Sequence, residues 1–160
     1  MKIMVFLHGT AIMHAAAASQ PRPERVRQSR DGEPSVRDFA SYVPAEAAVP
    51  KVAAWQRGGA QICYLSSHRD PRNVALDQTV LAGHGFPAGE VFFRQHGESY
   101  ADVVRRAGAD LLVEDDCESM GGAAQTTQAS LAARHGRAVR CVLVPEFGGL
   151  AHLPGDPGRL

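Results

Sequence analysis

Short apolar runs alternate with amphipathic stretches along this chain, and their order predicts its architecture. Ile3–Leu7 is a continuous apolar run closed by Gly9, the pattern of a strand buried on both faces. Gln61–Leu65, Val91–Phe93, Asp110–Val113 and Val139–Val144 repeat it. Between these runs the apolar spacing becomes helical. Ala48, Val52 and Trp55 share one face of a helix predicted over 45–57, with Pro50 in its first turn and Gly58-Gly59 as its stop. Val74, Leu76, Val80 and Leu81 predict a helix over 73–83, and Val103 with Val104 one over 100–107. A last helix is predicted over 126–135. Strands alternating with helices give an α/β fold, a three-layer, Rossmann-like parallel sheet of about five strands flanked by helices on both faces.

Two stretches fall outside this rhythm. Residues 15–43 are polar and Pro-rich, with Arg22, Arg25, Arg27, Arg30 and Arg37 set among Glu24, Asp31, Glu33 and Asp38. A connection of that length is rarely idle in a compact domain. It reads as a flap or rudimentary cap with a short helical piece near 23–28, or else as a solvated loop that touches no ligand. Residues 151–160 form a Pro- and Gly-rich tail expected to fray. The remainder, 1–150, is one domain without internal repeats.

The length of 160 residues suits one domain with a full core. Formal charge balances at zero, and both signs are interleaved, so no nucleic-acid partner is expected. Lys2 and Lys51 are the only lysines; Arg supplies the other positive charges. Cys63, Cys117 and Cys141 are odd in number and widely spaced, which points to a reduced, cytoplasmic protein. No run reaches the roughly 20 apolar residues of a membrane span. Lys2, the first apolar run and Ala15–Ala18 have the look of a signal peptide, but His8, Gly9 and Thr10 interrupt it, and a core strand explains it better. Nothing in the composition marks an oligomeric state.

In open parallel sheets, ligands bind beyond the carboxyl ends of the strands. The residues there are His8-Gly9-Thr10, Ser66-Ser67-His68, Arg94-Gln95-His96, Glu114-Asp115-Asp116 and Glu146. Three consecutive carboxylates at a partly desolvated sheet mouth need a cation, either a divalent metal or a nearby Arg. Mg²⁺ is the default for an all-oxygen site; Mn²⁺ or Zn²⁺ would be favoured if His8 or His68 were a ligand. The alternative is that Asp115 or Asp116 caps the following helix. Ser66, Ser67, His68 and Asp70 invite a hydrolytic triad, yet triad members come from separate elements, and the chain has no Gly-x-Ser-x-Gly elbow. Cys117, beside three carboxylates, is expected to have a raised thiol pKa and to be a poor nucleophile. No Walker or dinucleotide-binding glycine pattern is present.

The element order and the segments Phe6-Leu7-His8-Gly9-Thr10 and Leu111-Leu112-Val113-Glu114-Asp115-Asp116 resemble the haloacid dehalogenase-like (HAD) superfamily over nearly the whole chain. A similar small subgroup of that family opens with Phe-Leu-His-Gly-Thr and carries Glu-Asp-Asp-Cys-Glu-Ser, as residues 114–119 do here. Family members show Asp-x-Asp-Gly-Thr at the first motif, the first Asp being the nucleophile and the second the general acid/base. The resemblance places Phe6 at the nucleophile position and His8 at the acid/base position. Ser66, seven residues after Gly59, falls on the second motif, whose hydroxyl bonds phosphate, with Ser67 and His68 in the loop beyond. Asp115, then Asp116, matches the metal-binding fourth motif, with Glu114 beside them. The Lys of the third motif is absent; Ser99 or Tyr100 stands in its region, and Arg94 is the nearest cation.

Losing nucleophile and Lys together removes one charge of each sign, which suits a repurposed site better than a damaged one. The resemblance implies a protein that binds a phosphorylated small molecule or divalent metal without aspartyl-phosphate turnover. Gly9, Thr10, Ser66, Ser67 and Arg94 would hold the phosphate. Alternatively, His8 serves as base or nucleophile in an unconventional metal-dependent phosphohydrolase, since its ordinary pKa near 6.5 suits proton transfer. His8 bonded to Asp115 or a backbone carbonyl, as architecture alone, stands beside that reading. A regulatory or partner-binding module on the old site is the third.

Overall fold

The structure, a computed structural model, describes residues 1–132 and 138–160. Five parallel strands form one sheet: β1 (Lys2–Phe6), β4 (Gln61–Leu65), β5 (Glu90–Phe92), β6 (Leu111–Asp115) and β7 (Arg140–Val144). Their order is β5-β4-β1-β6-β7, so β1 lies at the centre and the connections reverse around it. Each strand falls within two residues of its expected bounds. One boundary matters, because β6 continues through Glu114 and Asp115. Successive strand residues point to opposite faces, so these two acids diverge.

Alternation also divides the core. Ile3, Val5, Ile62, Tyr64, Leu111 and Val113 face one side, where Val52 and Trp55 of α2 (Ala48–Arg57) and Val80 and Leu81 of α3 (Pro71–Gly83) cover them. Met4, Cys63, Leu65 and Leu112 face the other, against Val103 and Val104 of α4 (Tyr100–Ala107). This is the three-layer α/β arrangement expected. The helix ends follow local chemistry. Asp70 caps α3 by accepting from Arg72 N at 2.9 Å, with Pro71 at the first helical position. Ser99 and Asp102 form a reciprocal capping box at α4. A further helix, α5, is described over Thr127–Ala132; the last part of the helix expected over 126–135 lies outside the described residues.

The segment 15–43 is closed at its base by a two-stranded antiparallel pair, β2 (Ile12–Met13) with β3 (Val43–Pro44). It contains a ten-residue helix, α1 (Arg22–Asp31), longer than the piece expected over 23–28, followed by 3₁₀ turns. Val26 packs with Met13, Ala17 and Phe147, so the segment has its own small core. The tail does not fray. Leu150 is fully buried, Trp55 Nε1 donates to Pro154 O at 2.9 Å, and Lys51 donates to Leu153 O. Apolar Trp55 at the end of α2 supplied the surface it needed. No helix of the described residues is long and apolar enough to cross a membrane.

Trp55 joins sheet, helix and tail, so Trp55→Ala should cost about 3–5 kcal/mol in urea denaturation. A loss below about 1 kcal/mol would show that the tail and α2 do not pack as described.

Candidate functional site

A cavity of about 650 Å³ opens at the carboxyl ends of the central strands, under the 15–43 segment. His8, Gly9, Ser67, Arg94, Glu114 and Asp115 line it; Phe39 and Tyr42 close it from above. Thr10 and Ser66 are fully buried behind the wall. The strand ends expected to converge therefore do so, with their polar groups divided into two clusters.

The first cluster is acidic. Gly9 has φ +91°, a left-handed conformation that glycine tolerates, and a Cβ there would lie 2.8 Å from Asp115 Oδ2. Close approach lets Thr10 Oγ1 donate to Asp115 Oδ2 at 2.7 Å, while Cys117 N donates to Oδ1 at 3.0 Å. Thr10, expected on phosphate, is thus engaged with the carboxylate. Asp116 Oδ1 accepts from Glu146 N at 3.0 Å. Glu146 in turn accepts from Ser119 N at 2.6 Å and Ser119 Oγ at 2.7 Å. One oxygen from each of Asp115, Asp116 and Glu146 lies within 4.8 Å of the others. Octahedral Mg²⁺, with oxygens at 2.0–2.1 Å, places its ligands about 2.9–4.2 Å apart. The set fits a hard divalent cation.

Glu114 does not join this cluster. Its carboxylate accepts from Thr127 N at 2.9 Å and Gln128 N at 2.7 Å, at the start of α5. The capping role expected of Asp115 or Asp116 belongs to Glu114, and Glu146 completes the acidic set in its place. Glu146 stood at the end of the fifth apolar run; its position was the signal. Burial raises the carboxyl pKa of Asp115, partly offset by the Thr10 bond, and burial likewise raises Glu146. Arg22 lies 3.7 Å from Asp116 but 2.5 Å from Glu118, so its charge is mainly spent on Glu118. Burial first, then Asp115, pushes the Cys117 thiol up to about 12, so it is a poor nucleophile at neutral pH.

The second cluster centres on His8. Ser67 N and Ser67 Oγ lie 3.4 and 2.8 Å from His8 Nδ1, and His8 Nε2 lies 3.1 Å from Asp77 Oδ1. A backbone N–H can only donate, so Nδ1 accepts and Nε2 carries the proton towards Asp77. Among the described residues, the His8 ring bonds neither Asp115 nor a backbone carbonyl. Asp77, 1% exposed, also accepts from Ser66 Oγ at 2.6 Å, and His68 N donates to Ser66 Oγ at 3.0 Å. Ser66 is therefore committed inside the wall, and Ser67 is the serine that faces the cavity. His68 Nε2 is 3.7 Å from Asp77 and has no hydrogen-bond partner; burial, then the charge of His8, lowers its pKa. Asp77 escaped sequence reading, although it falls three residues from both Val74 and Val80 on the apolar face of α3. A carboxylate on that face was the available signal.

Phe6, the last residue of β1, packs edge-on against Tyr100 with centroids 5.1 Å apart. Arg94 stacks on the same ring at 3.9 Å, and its Nη2 reaches Ser67 O at 3.4 Å. Among the described residues, neither Arg94 nor the other cavity-lining arginine, Arg37, has a carboxylate within ion-pair distance.

No protein-family model matches the chain, and no curated protein does. Solved structures do match. The class C acid phosphatase from Bacillus anthracis superposes with a TM-score of 0.59 at 13% identity, covering 92% of this chain and 67% of that one. The same enzyme with tungstate bound gives 0.58 at 13%, covering 92% and 68%. A chain of the Pnkp1/Rnl/Hen1 complex gives 0.54 at 11% identity, covering 91% and 46%. At such identities the likeness is one of fold. It shows that the chain shares the three-layer α/β fold of these phosphatases.

The crowding of the acidic cluster has a consequence for stability. Burial holds Asp115 and Glu146 above their ordinary carboxyl values of 3.8 and 4.5, so the folded protein keeps protons that the unfolded chain releases. Their contribution is complete below those ordinary values and is lost as pH rises through the raised ones. In EDTA, the melting midpoint should fall with rising pH across that range. Glu146→Gln, which keeps both Ser119 bonds by presenting one acceptor and one donor, should flatten the fall. It should also raise the neutral-pH midpoint by about 2–4 °C. An equal fall in both proteins would show that Arg22 already neutralises the cluster.

Proposed function

We propose that the protein binds a phosphorylated small molecule above a divalent cation, and that it does so without an aspartyl-phosphate intermediate. The observation that carries this reading is the division of charge across one cavity. Carboxylates of Asp115, Asp116 and Glu146 crowd together at the ends of β6 and β7, while Arg94, after β5, and Arg37, in the 15–43 segment, line the same cavity with no carboxylate partner among the described residues. A phosphate with its metal complements both sides at once. Phe6 can neither attack phosphorus nor ligate a metal, which supports a reading without the carboxylate nucleophile that the resemblance would place there. The family likeness to a tungstate-binding phosphatase fold supports the same ligand class.

The cation is assigned to the acidic group, with Mg²⁺ or Mn²⁺ suiting its oxygen donors. The His8–His68–Asp77 group also brings three ligand-type atoms together, and would favour Zn²⁺ or Mn²⁺. The proton that Ser67 N fixes on His8 Nε2 makes that group a hydrogen-bonded set instead. Bound metal would neutralise the carboxylates and help hold the phosphate. Ser67 and Arg94 then hold the phosphate, with the backbone at Gly9 beside them. Thr10 and Ser66 act one step back, through Asp115 and Asp77. The second reading, a phosphohydrolase with His8 as base, is favoured by the unprotonated His8 Nδ1, which accepts from Ser67 at the cavity wall. A cytoplasmic setting accords with the free cysteines.

Thermal shift with Mg²⁺ or Mn²⁺, then with inorganic phosphate or tungstate added, checks this reading. Saturation at 100 times Kd should stabilise by about 2.7 kcal/mol per ligand. Asp115→Asn should abolish the cation response, and Arg94→Gln the anion response alone. Absence of any anion response in the metal-loaded protein would refute the proposal and leave the cavity as a partner-binding surface.

A further inference from the structure

We propose that Ser67 is a nucleophile, activated by His8 and Asp77, which accepts the phosphoryl group of a phosphomonoester bound in the cavity. The proposal rests on the reading of that cavity as a phosphate site. Ser67, His8 and Asp77 come from three separate elements: the loop after β4, the turn after β1 and the interior of α3. Ser67 Oγ is 2.8 Å from His8 Nδ1, and His8 Nε2 is 3.1 Å from Asp77 Oδ1. Nucleophile, base and buried orienting carboxylate are thereby in hydrogen-bond series, the arrangement that activates a hydroxyl. The nitrogens are exchanged relative to the protease order. That does not matter chemically, because the relay needs one lone pair facing the hydroxyl and one N–H facing the carboxylate.

Two observations separate this from a merely architectural His–Asp pair. Asp77 is already satisfied by His8 and by Ser66 Oγ at 2.6 Å, so the Ser67 hydroxyl adds nothing to its burial. Ser67 instead lines the cavity, where Arg94, lacking a carboxylate partner, reaches its carbonyl at 3.4 Å. A cation thus stands against the Ser67 backbone within the same cavity, as an incoming phosphate requires. The vacancy left by Phe6 on β1 is then answered by a serine on the neighbouring loop.

The chemistry balances with water as co-reactant. The Ser67 Oγ proton passes to His8 Nδ1 as the Oγ–P bond forms and the bond from phosphorus to the alcohol oxygen breaks. The departing alkoxide takes a proton from water, leaving hydroxide. Hydroxide then attacks the phosphoserine, the Oγ–P bond breaks, and His8 returns its proton to Oγ. The sum is phosphomonoester plus water giving alcohol plus phosphate. Asp77 acts as a positioning residue for His8.

The test treats the protein with Mg²⁺ and p-nitrophenyl phosphate, quenches in acid and maps adducts by tandem mass spectrometry. A parallel sample receives a fluorophosphonate, which marks activated serines whatever the natural leaving group. We expect both adducts on Ser67, none in Ser67→Ala, and labelling slowed by about 10²–10⁴-fold in His8→Gln. In Asp77→Asn the pH profile of fluorophosphonate labelling should shift to lower pH, since imidazolium loses its carboxylate; a purely structural role would lower the extent without moving the midpoint. Binding of phosphate or tungstate with no adduct on Ser67 would overturn this proposal and spare the phosphate reading. An acid-labile adduct on His8, or undiminished turnover in a Ser67→Ala protein that melts like the parent, would also overturn it. Absence of both binding and adduct would overturn the two together.

Discussion

The site is organised by the contact between the Gly9 backbone and the Asp115 carboxylate. Gly9 turns the chain at φ +91°, so close to Asp115 that no side chain fits between them. The same turn accepts Phe147 N on Gly9 O at 2.7 Å and donates Gly9 N to Ile12 O at 2.9 Å. Three pieces of chain are thereby joined at one residue: the end of β1, the segment after β7 and strand β2 at the base of the 15–43 insertion. Thr10 is delivered to Asp115 and His8 to the opposite wall. A larger residue at position 9 would move both clusters at once.

Around that turn the cavity separates charge. Buried carboxylates at the ends of β6 and β7, and a half-buried Arg94 that among the described residues has no carboxylate within ion-pair distance, are each costly alone, because burial removes water without supplying a counter-charge. The arrangement is sustained by backbone donors to Asp115, Asp116 and Glu146, by ring stacking beneath Arg94, and by the hydroxyls of Thr10 and Ser119. Phe6 sits between the two sides and packs on Tyr100.

The architecture was legible because β1, β4, β6 and β7 are largely apolar runs and Val103 with Val104 supply the buried face of α4. Boundaries slipped where the signal was chemical and not periodic: α3 begins at Pro71 because Asp70 caps it, three residues before its apolar pattern starts at Val74. Helix α1 carries a single buried apolar residue, Val26, so periodicity showed only part of it. In the site, the positions of His8, Gly9, Ser67 and Asp115 could be read because strand ends converge in such folds. Which acid joins the cluster could not, since Glu114 and Asp115 look alike in sequence and differ only in the face to which strand alternation turns them. Asp77 was hidden for a related reason. Its partners lie 69 and 11 residues away, and a helical pattern reveals an odd polar residue without naming what it meets.

The central claim is that one cavity holds a divalent cation on its acidic side and an oxyanion on its Arg94 side. A crystal of the protein soaked in Mn²⁺ and tungstate tests it most directly, because both give anomalous scattering. The account expects manganese bound by Asp115, Asp116 and Glu146, with tungstate oxygens against Ser67 and Arg94. Manganese on His68 and Asp77, or tungstate confined to the outer surface, would contradict it.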